Sequence, residues 1–222
     1  MGTFAGHALP GSFFLIFGVW WTIQIFIRYY SSIKHHIKFT SSLTFPCHCG
    51  RLKNVPLQPC LIIFFTVVGF SLEIYTGTSD GHLSEPGNAH HATMYFFFGV
   101  MAVIDLMVHF EVTLPKDVEY AIAAIAFFVE WILFEFHLYD RSQLDVLVHT
   151  LLNYVVAANV LSILVEMKYR GKILAPLFRS YMVCLQGTWF WAIGFILYNP
   201  NPNAEKWNEE DHEQLMIATI FV

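Results

Sequence analysis

The chain has too little charge for a soluble protein of its length. Asp, Glu, Lys and Arg make up 13% of the 222 residues, whereas hydrophobic residues make up 56% and aromatic residues 17%. The net charge of -5 is small and dispersed, so nothing in the sequence favours nucleic acid as a partner. The length alone would suit one or two soluble domains. The composition outweighs that argument and predicts a protein that resides in a lipid bilayer.

A disulfide framework and flexible linkers are also missing. The four cysteines (Cys47, Cys49, Cys60 and Cys184) are too few and too scattered for a small disulfide-stapled fold. The sequence contains no stretch rich in glycine and serine and no repeat of fixed period. One multi-pass transmembrane domain is therefore predicted over residues 1–222.

Apolar runs long enough to cross a bilayer as helices account for most of the sequence, since a membrane span needs roughly 20 mostly apolar residues. These runs cover residues 10–27, 57–75, 90–108, 118–138, 144–166 and 173–198. A seventh run opens at about 212, and the sequence ends at Val222. The prediction is an all-α polytopic membrane helix bundle with six full spans and a truncated seventh.

Lys and Arg predict how the bundle is oriented. Residues 28–59 contain five basic residues and no acid, and the loop after the fifth span holds Lys168, Arg170 and Lys172. Basic loops stay in the cytosol, and alternating spans place both of these loops on one side. The N-terminus is therefore predicted to be lumenal or extracellular. The choice between an endomembrane and the plasma membrane stays open.

Acids and histidines at membrane depth are predicted to gather near the outer leaflet. They are Glu73, His90, His91, Glu130, Glu135, His137, Asp145, His149 and His212. Ionisable groups are costly in hydrocarbon, so such a set is by default a candidate functional site. Asp145, His149 and Asn153 are spaced i, i+4 and i+8 and form one polar stripe on the fifth span.

This outer-leaflet set has the composition of a metal site. The candidate ligands of zinc or another divalent metal are His91, His137, His149 and His212. Asp145 and His90 would orient those ligands from behind, and Glu130 is the candidate general base. Helix packing and headgroup contacts are the competing explanation for the same side chains. Which metal or other cofactor binds, if any, is left open.

The opposite leaflet is predicted to be poor in interior polar groups. Asp105 and His109 stand one helical turn apart and favour a local salt bridge. Arg179, near the start of the sixth span, is expected to extend outward to the interface. No polar chain that matches the outer-leaflet set is expected there, which weakens the case for a transmembrane proton path.

Several sequence segments resemble the transmembrane protein 45 and transmembrane epididymal protein family. They are Gly6-His7-Ala8-Leu9-Pro10-Gly11, His90-His91-Ala92-Thr93-Met94-Tyr95-Phe96-Phe97-Phe98-Gly99, Phe128-Val129-Glu130, Leu144-Asp145-Val146-Leu147-Val148-His149, Leu185-Gln186-Gly187-Thr188-Trp189-Phe190 and Asp211-His212-Glu213. The resemblance implies a seven-span membrane protein without an established molecular activity. Its pattern also includes His137, and this chain ends inside the family's last span.

Three functions remain in competition at this point. The first is a non-catalytic membrane protein that binds or organises other molecules, with the lipid bilayer as its environment and unknown protein partners. The second is a metal-dependent hydrolase that acts on a lipid. The third is a proton or ion pathway. Whether the protein is an enzyme is not decided by the sequence, because no segment carries a compact catalytic motif such as H-E-x-x-H.

Overall fold

Long helices form where the sequence predicts membrane spans. The computed structural model describes residues 2–46, 55–79, 81–136, 141–207 and 212–221, with the side chains of His212 and Phe221 excepted. The elements are α1 (Phe4–Lys34), α2 (Leu57–Gly77), β1 (Thr78–Ser79), β2 (His82–Leu83), α3 (Pro86–His109), α4 (Val118–Phe136), α5 (Gln143–Lys168), α6 (Leu174–Tyr198) and α7 (His212–Ala218). A 3₁₀ turn, Thr219–Phe221, follows α7.

Local capping residues determine where these helices begin. Thr3 accepts a hydrogen bond from the backbone N–H of Gly6, so α1 begins at Phe4 rather than at about residue 10. Ser142 caps α5 in the same way through the N–H of Asp145. Pro86 occupies the first turn of α3, where its missing N–H costs no helical hydrogen bond. The strands β1 and β2 form a short antiparallel hairpin between α2 and α3.

The six long helices are arranged in a ring that is most loosely packed between α1 and α2. Neighbouring helices pack in the order α2, α3, α4, α5, α6, α1. A contact between the rings of Phe13 in α1 and Phe65 in α2, with centroids 4.1 Å apart, completes the circle. Because successive helices run in opposite directions, the start of α1 lies beside the starts of α3 and α5. This end of the bundle is called the α1-start end below, and the opposite one the α1-finish end.

A non-helical segment fills the α1-finish end. Residues 37–46 follow α1, and the side chains of Phe39, Leu43 and Phe45 are buried. Gln58 donates a hydrogen bond to the carbonyl oxygen of Leu43 at 3.0 Å, and the backbone N–H of Ser41 donates to the carbonyl oxygen of Arg170 at 2.8 Å. Part of the predicted basic loop is therefore packed into the bundle.

Within the described residues, five helices have the length and apolar composition of membrane spans, namely α1, α2, α3, α5 and α6. The sixth long helix, α4, is similar in length but carries Glu119, Glu130 and Glu135 within its 19 residues. The predicted all-α membrane helix bundle is confirmed in this coarser form. The short hairpin is the only β-structure within the described ranges.

Candidate functional site

An apolar cavity of about 140 Å³ lies inside the ring. Helices α1, α2, α3, α4 and α6 all contribute to its wall. Most of the wall is aromatic, and the phenylalanines that line it are Phe13, Phe14, Phe17, Phe65, Phe98, Phe127, Phe134 and Phe190. Cavities of about this size with apolar walls stay dry and accept small hydrophobic groups such as a benzene ring. The aromatic part of the cavity is therefore suited to an apolar group.

Glu130 is the buried acid of this cavity. Its side chain lines the wall and is 3% exposed. One carboxyl oxygen, Oε1, accepts a hydrogen bond from the amide of Gln186 at 3.0 Å, and that amide's own oxygen accepts from Asn159 at 2.7 Å. The second oxygen, Oε2, has no hydrogen-bond partner within the described part of the chain. An unsatisfied buried acceptor costs about 1–3 kcal/mol. A ligand that donates a hydrogen bond to Oε2 would recover this free energy.

A second acid and a histidine lie at the α1-start end of the same cavity. His91, in the first half of α3, places its Nδ1 atom 3.3 Å from the carboxylate of Glu73 in α2. The other oxygen of Glu73 accepts from the amide of Asn88 at 2.8 Å. Both Glu73 and His91 line the cavity. His90, next in sequence, is half-buried and is not among the lining residues.

A separate cluster surrounds His149 on the second turn of α5. The Nδ1 atom of His149 lies 2.7 Å from the carboxylate of Asp145, which also accepts from Arg141 at 2.9 Å. The Nε2 atom lies 3.4 Å from Nε2 of His7, close to the start of α1. The side chain of Tyr198, at the end of α6, stacks on the ring of His7 with centroids 5.1 Å apart. Asp145 thus contacts His149 from one turn away, as the spacing on α5 predicts.

The predicted metal ligands are not all within the part of the chain that the structure describes. His137 lies outside the described residues, and only the backbone of His212 is described. Of the other two, His91 pairs with Glu73 and His149 with Asp145. Among the described residues, no three His, Cys, Asp or Glu side chains converge as a metal-binding group. The four-histidine ligand set, the roles of Asp145 and His90 and the base role of Glu130 remain predictions.

The α1-finish end is richer in buried polar groups than the sequence predicts. Arg179 does not extend outward to the interface, because it is 1% exposed and forms an ion pair with Glu166 of α5. The hydroxyl of Tyr120 donates to the same carboxylate at 3.0 Å. Asp105 is also buried, whereas His109 is exposed and contacts Phe110 instead. Three expectations are therefore wrong, namely the outward Arg179, the Asp105–His109 salt bridge and the lack of a matching polar chain in this half.

Two functional candidates escaped the sequence analysis. Glu166 continues the polar stripe of α5, since Asn159, Ser162 and Glu166 follow Asn153 on its buried face. Successive members of this series are six, three and four residues apart, so the sequence does not show a regular helical repeat beyond Asn153. His7 lies before the predicted first span of 10–27, and its partner His149 is 142 positions away. The only sequence signal for His7 is its place in the Gly6–Gly11 segment of the family resemblance.

The fold and its buried polar residues define an integral multi-pass helical membrane protein. Residues 116–222 match a family model described as a family of unknown function, DUF716. The chain is 23% identical over 239 residues to transmembrane epididymal protein 1A of Mus musculus, covering 100% of this chain and 75% of that protein. It is also 23% identical over 231 residues to transmembrane epididymal protein 1 of Rattus norvegicus, with the same two coverages. These similarities confirm the resemblance to the transmembrane epididymal protein family.

Proposed function

We propose that the chain is a ligand-binding membrane protein, whose cavity accepts an amphipathic molecule with a hydrocarbon tail and a hydrogen-bond donor as its head. The observation that carries this proposal is that Glu130 lines a cavity walled mainly by aromatic side chains and that its Oε2 atom has no hydrogen-bond partner among the described residues. Phenylalanine rings offer a ligand only apolar surface, so the tail would pack against them. The hydroxyl or ammonium group of the ligand would donate to Glu130.

The proposal includes one domain with six membrane-crossing helices, α1–α6, and α7 as the start of a seventh. The acids of α4 point inward or lie near its ends, since Glu130 is buried and Glu119 pairs with Arg170. With the basic stretches in the cytosol, the N-terminus is lumenal or extracellular. The α1-start end, with Glu73, His91 and His149, would then face the outer leaflet, from which a lipid-like ligand would enter.

Photolabelling tests the proposal with probes that differ only in the head group. Clickable diazirine analogues of a long-chain amine, a long-chain alcohol and a fatty acid would be added to the purified chain in nanodiscs, and labelled peptides mapped by mass spectrometry. The amine and the alcohol should label peptides that line the cavity more strongly than the fatty acid, because a carboxylate head has no hydrogen to donate to Oε2 of Glu130.

Glu130→Leu is the matched variant for this experiment. It should reduce labelling by the amine and the alcohol about tenfold, the effect of losing one hydrogen bond of about 1.4 kcal/mol. Glu135→Leu, five residues further along α4, is the control. Its exposed side chain accepts a hydrogen bond from Asn153 and does not line the cavity, so this variant should label like the unmodified chain. Equal labelling of Glu130→Leu and the unmodified chain, or labelling confined to peptides outside the cavity, would refute the proposal.

A metal-dependent lipid hydrolase is the second candidate, and it would use the same cavity. The placement of Glu130 and His91 in one cavity wall favours it, since a base and a metal ligand must reach the same substrate. A hydrolase converts its bound lipid, whereas a binding protein returns it unchanged. Incubation of the purified chain with ester and amide lipids, followed by mass spectrometry of the products, separates these two functions.

A proton pathway gains support that the sequence did not provide. Buried polar side chains on α5 extend from His149 to Glu166, so both halves of the bundle contain them. The guanidinium of Arg179 at Glu166 still opposes the passage of a proton through that point. If the pathway operates, liposomes containing the chain should show proton flux after a pH jump, and Glu130→Leu should abolish this flux.

A further inference from the structure

His7 and His149 face each other across the contact between the start of α1 and the start of α5. Their Nε2 atoms are 3.4 Å apart, and the ring planes are inclined at 67°. The side chain of His149 is 5% exposed. Neither histidine lines the cavity proposed to bind an amphipathic ligand. The pair is thus a second arrangement of chemically active side chains, distinct from that cavity.

Contacts on the far side of each ring determine which nitrogen holds the proton. Nδ1 of His7 lies 2.9 Å from the carbonyl oxygen of Thr3, which can only accept a hydrogen bond. Nδ1 of His149 lies 2.7 Å from the carboxylate of Asp145, which is also paired with Arg141. Both Nδ1 atoms therefore donate, and in neutral imidazole this leaves a lone pair on each Nε2.

Two lone pairs that face each other require an electron-pair acceptor between them. A shared proton is one such acceptor, but N–H hydrogen bonds are typically about 2.7–3.2 Å long, so 3.4 Å is too wide for a good one. A metal ion is the other. Zinc–nitrogen bonds of about 2.0–2.1 Å in tetrahedral geometry place two ligand nitrogens about 3.3–3.4 Å apart. The observed separation matches the metal.

The far-side contacts also fit a metal. Histidine ligands usually donate their other N–H to a carboxylate or a backbone carbonyl, which fixes the ring and raises its basicity. Asp145 has this relationship to His149, and the carbonyl of Thr3 has it to His7. Both rings are therefore already held in the orientation that a metal ligand needs.

We infer that His7 and His149 bind a divalent transition-metal ion, with zinc as the best match in geometry. Asp145 and Thr3 position the two rings. Among the described residues, no third His, Cys, Asp or Glu side chain joins the two histidines, so the inference assigns these two ligands alone. Only His149 belongs also to the ligand set that the sequence predicts.

The test uses Co²⁺ and Zn²⁺ alone on the full chain, purified in detergent and stripped with a chelator. The unmodified chain should bind one equivalent of Co²⁺ with the visible absorption of a nitrogen-ligated ion of low coordination number, and Zn²⁺ should displace it. His7→Ala and His149→Ala should each reduce Zn²⁺ affinity at least tenfold. Asp145→Asn should reduce it less than either histidine substitution. His109→Ala, an exposed histidine at the α1-finish end, is the control.

Thermal unfolding without metal identifies variants that fail to fold. His7 is only partly buried, so His7→Ala carries the test if His149→Ala does not purify. Zn²⁺ should raise the unfolding temperature of the unmodified chain and of His109→Ala but not of His7→Ala. The reason is that an ion that binds only the folded state stabilises that state. Absence of Zn²⁺ binding by the unmodified chain, or full affinity in a folded His7→Ala or His149→Ala variant, would overturn the inference.

Discussion

Arg179 and Glu166 form an ion pair in the interior of the bundle, where their side chains are 1% and 0% exposed. The guanidinium also lies over the ring of Trp21, 4.7 Å from its centroid. The hydroxyl of Tyr120 donates a further hydrogen bond to the carboxylate. Helices α1, α4, α5 and α6 therefore meet at one charged pair, which makes the α1-finish end sensitive to the loss of either charge.

Arg179→Leu should destabilise the protein strongly. It leaves the carboxylate of Glu166 buried without its cation, and breaking a buried ion pair in this way costs about 3–5 kcal/mol. The double variant Arg179→Leu and Glu166→Leu should lose less, because it removes both charges and keeps apolar volume. Denaturation by SDS in mixed micelles, followed by circular dichroism, measures the free energies of unfolding.

The control for this pair is Lys172→Ala, an exposed cation in the turn before α6. Its effect should stay within about 0.5 kcal/mol, as is usual for surface substitutions. If Arg179→Leu were no more destabilising than this control, the ion pair would not contribute to the stability of the bundle. The Glu166→Leu single variant completes the comparison. A double variant that loses the sum of the two single effects would show that the two charges act independently.

The membrane-span pattern was predictable because it depends on local properties of the sequence. A helix in hydrocarbon must be apolar over about 20 residues. The predicted runs 57–75 and 90–108 lie inside α2 and α3, and the run 173–198 exceeds α6 by one residue. The contact of Asp145 with His149 was predictable for the same reason, because one helical turn fixes it. These features need no knowledge of which helix is the neighbour of another.

Contacts between distant helices were not predictable in this way. The sequence places Arg179 near the end of a span, where outward extension is the usual solution, and gives no sign that α6 packs beside Glu166 of α5. Likewise, nothing local connects His7 with His149. Both pairings depend on the order of helices around the ring, and single-sequence periodicity carries no information about that order.

The close contact of α1 and α6 depends on glycine at position 187. A Cβ atom there would lie 2.7 Å from the backbone nitrogen of Leu15 and 2.8 Å from the carbonyl oxygen of Gly11. Backbone atoms within a helix cannot move aside, so Gly187→Ala must push α1 away from α6. The expected cost is about 1–3 kcal/mol, as for overpacking a well-packed core, and the same SDS denaturation measures it.

Gly194→Ala is the matched control, because it lies two turns along α6 and also faces α1. A Cβ atom at Gly194 would meet Phe4 and His7 only at 3.4–3.5 Å, which is ordinary van der Waals contact. This substitution should be neutral or slightly stabilising, since alanine favours a helix over glycine by about 0.5–1 kcal/mol. Equal effects at both positions would mean that α1 and α6 tolerate separation.

Labelling from each side of the membrane tests whether α4 crosses it. The exposed residues Ser79, in the β1–β2 hairpin, and Lys172, after α5, are separated by α3, α4 and α5. If all three helices cross, cysteines placed at these two positions face opposite compartments. The background has the four native cysteines replaced by serine, and the cells are ones in which surface biotinylation detects the chain at the plasma membrane. There Ser79→Cys should react with a membrane-impermeant maleimide on intact cells, and Lys172→Cys only after permeabilisation. Reaction of both on intact cells would show that α3, α4 and α5 do not all cross the bilayer. The reverse pattern would fit three crossings with the opposite orientation.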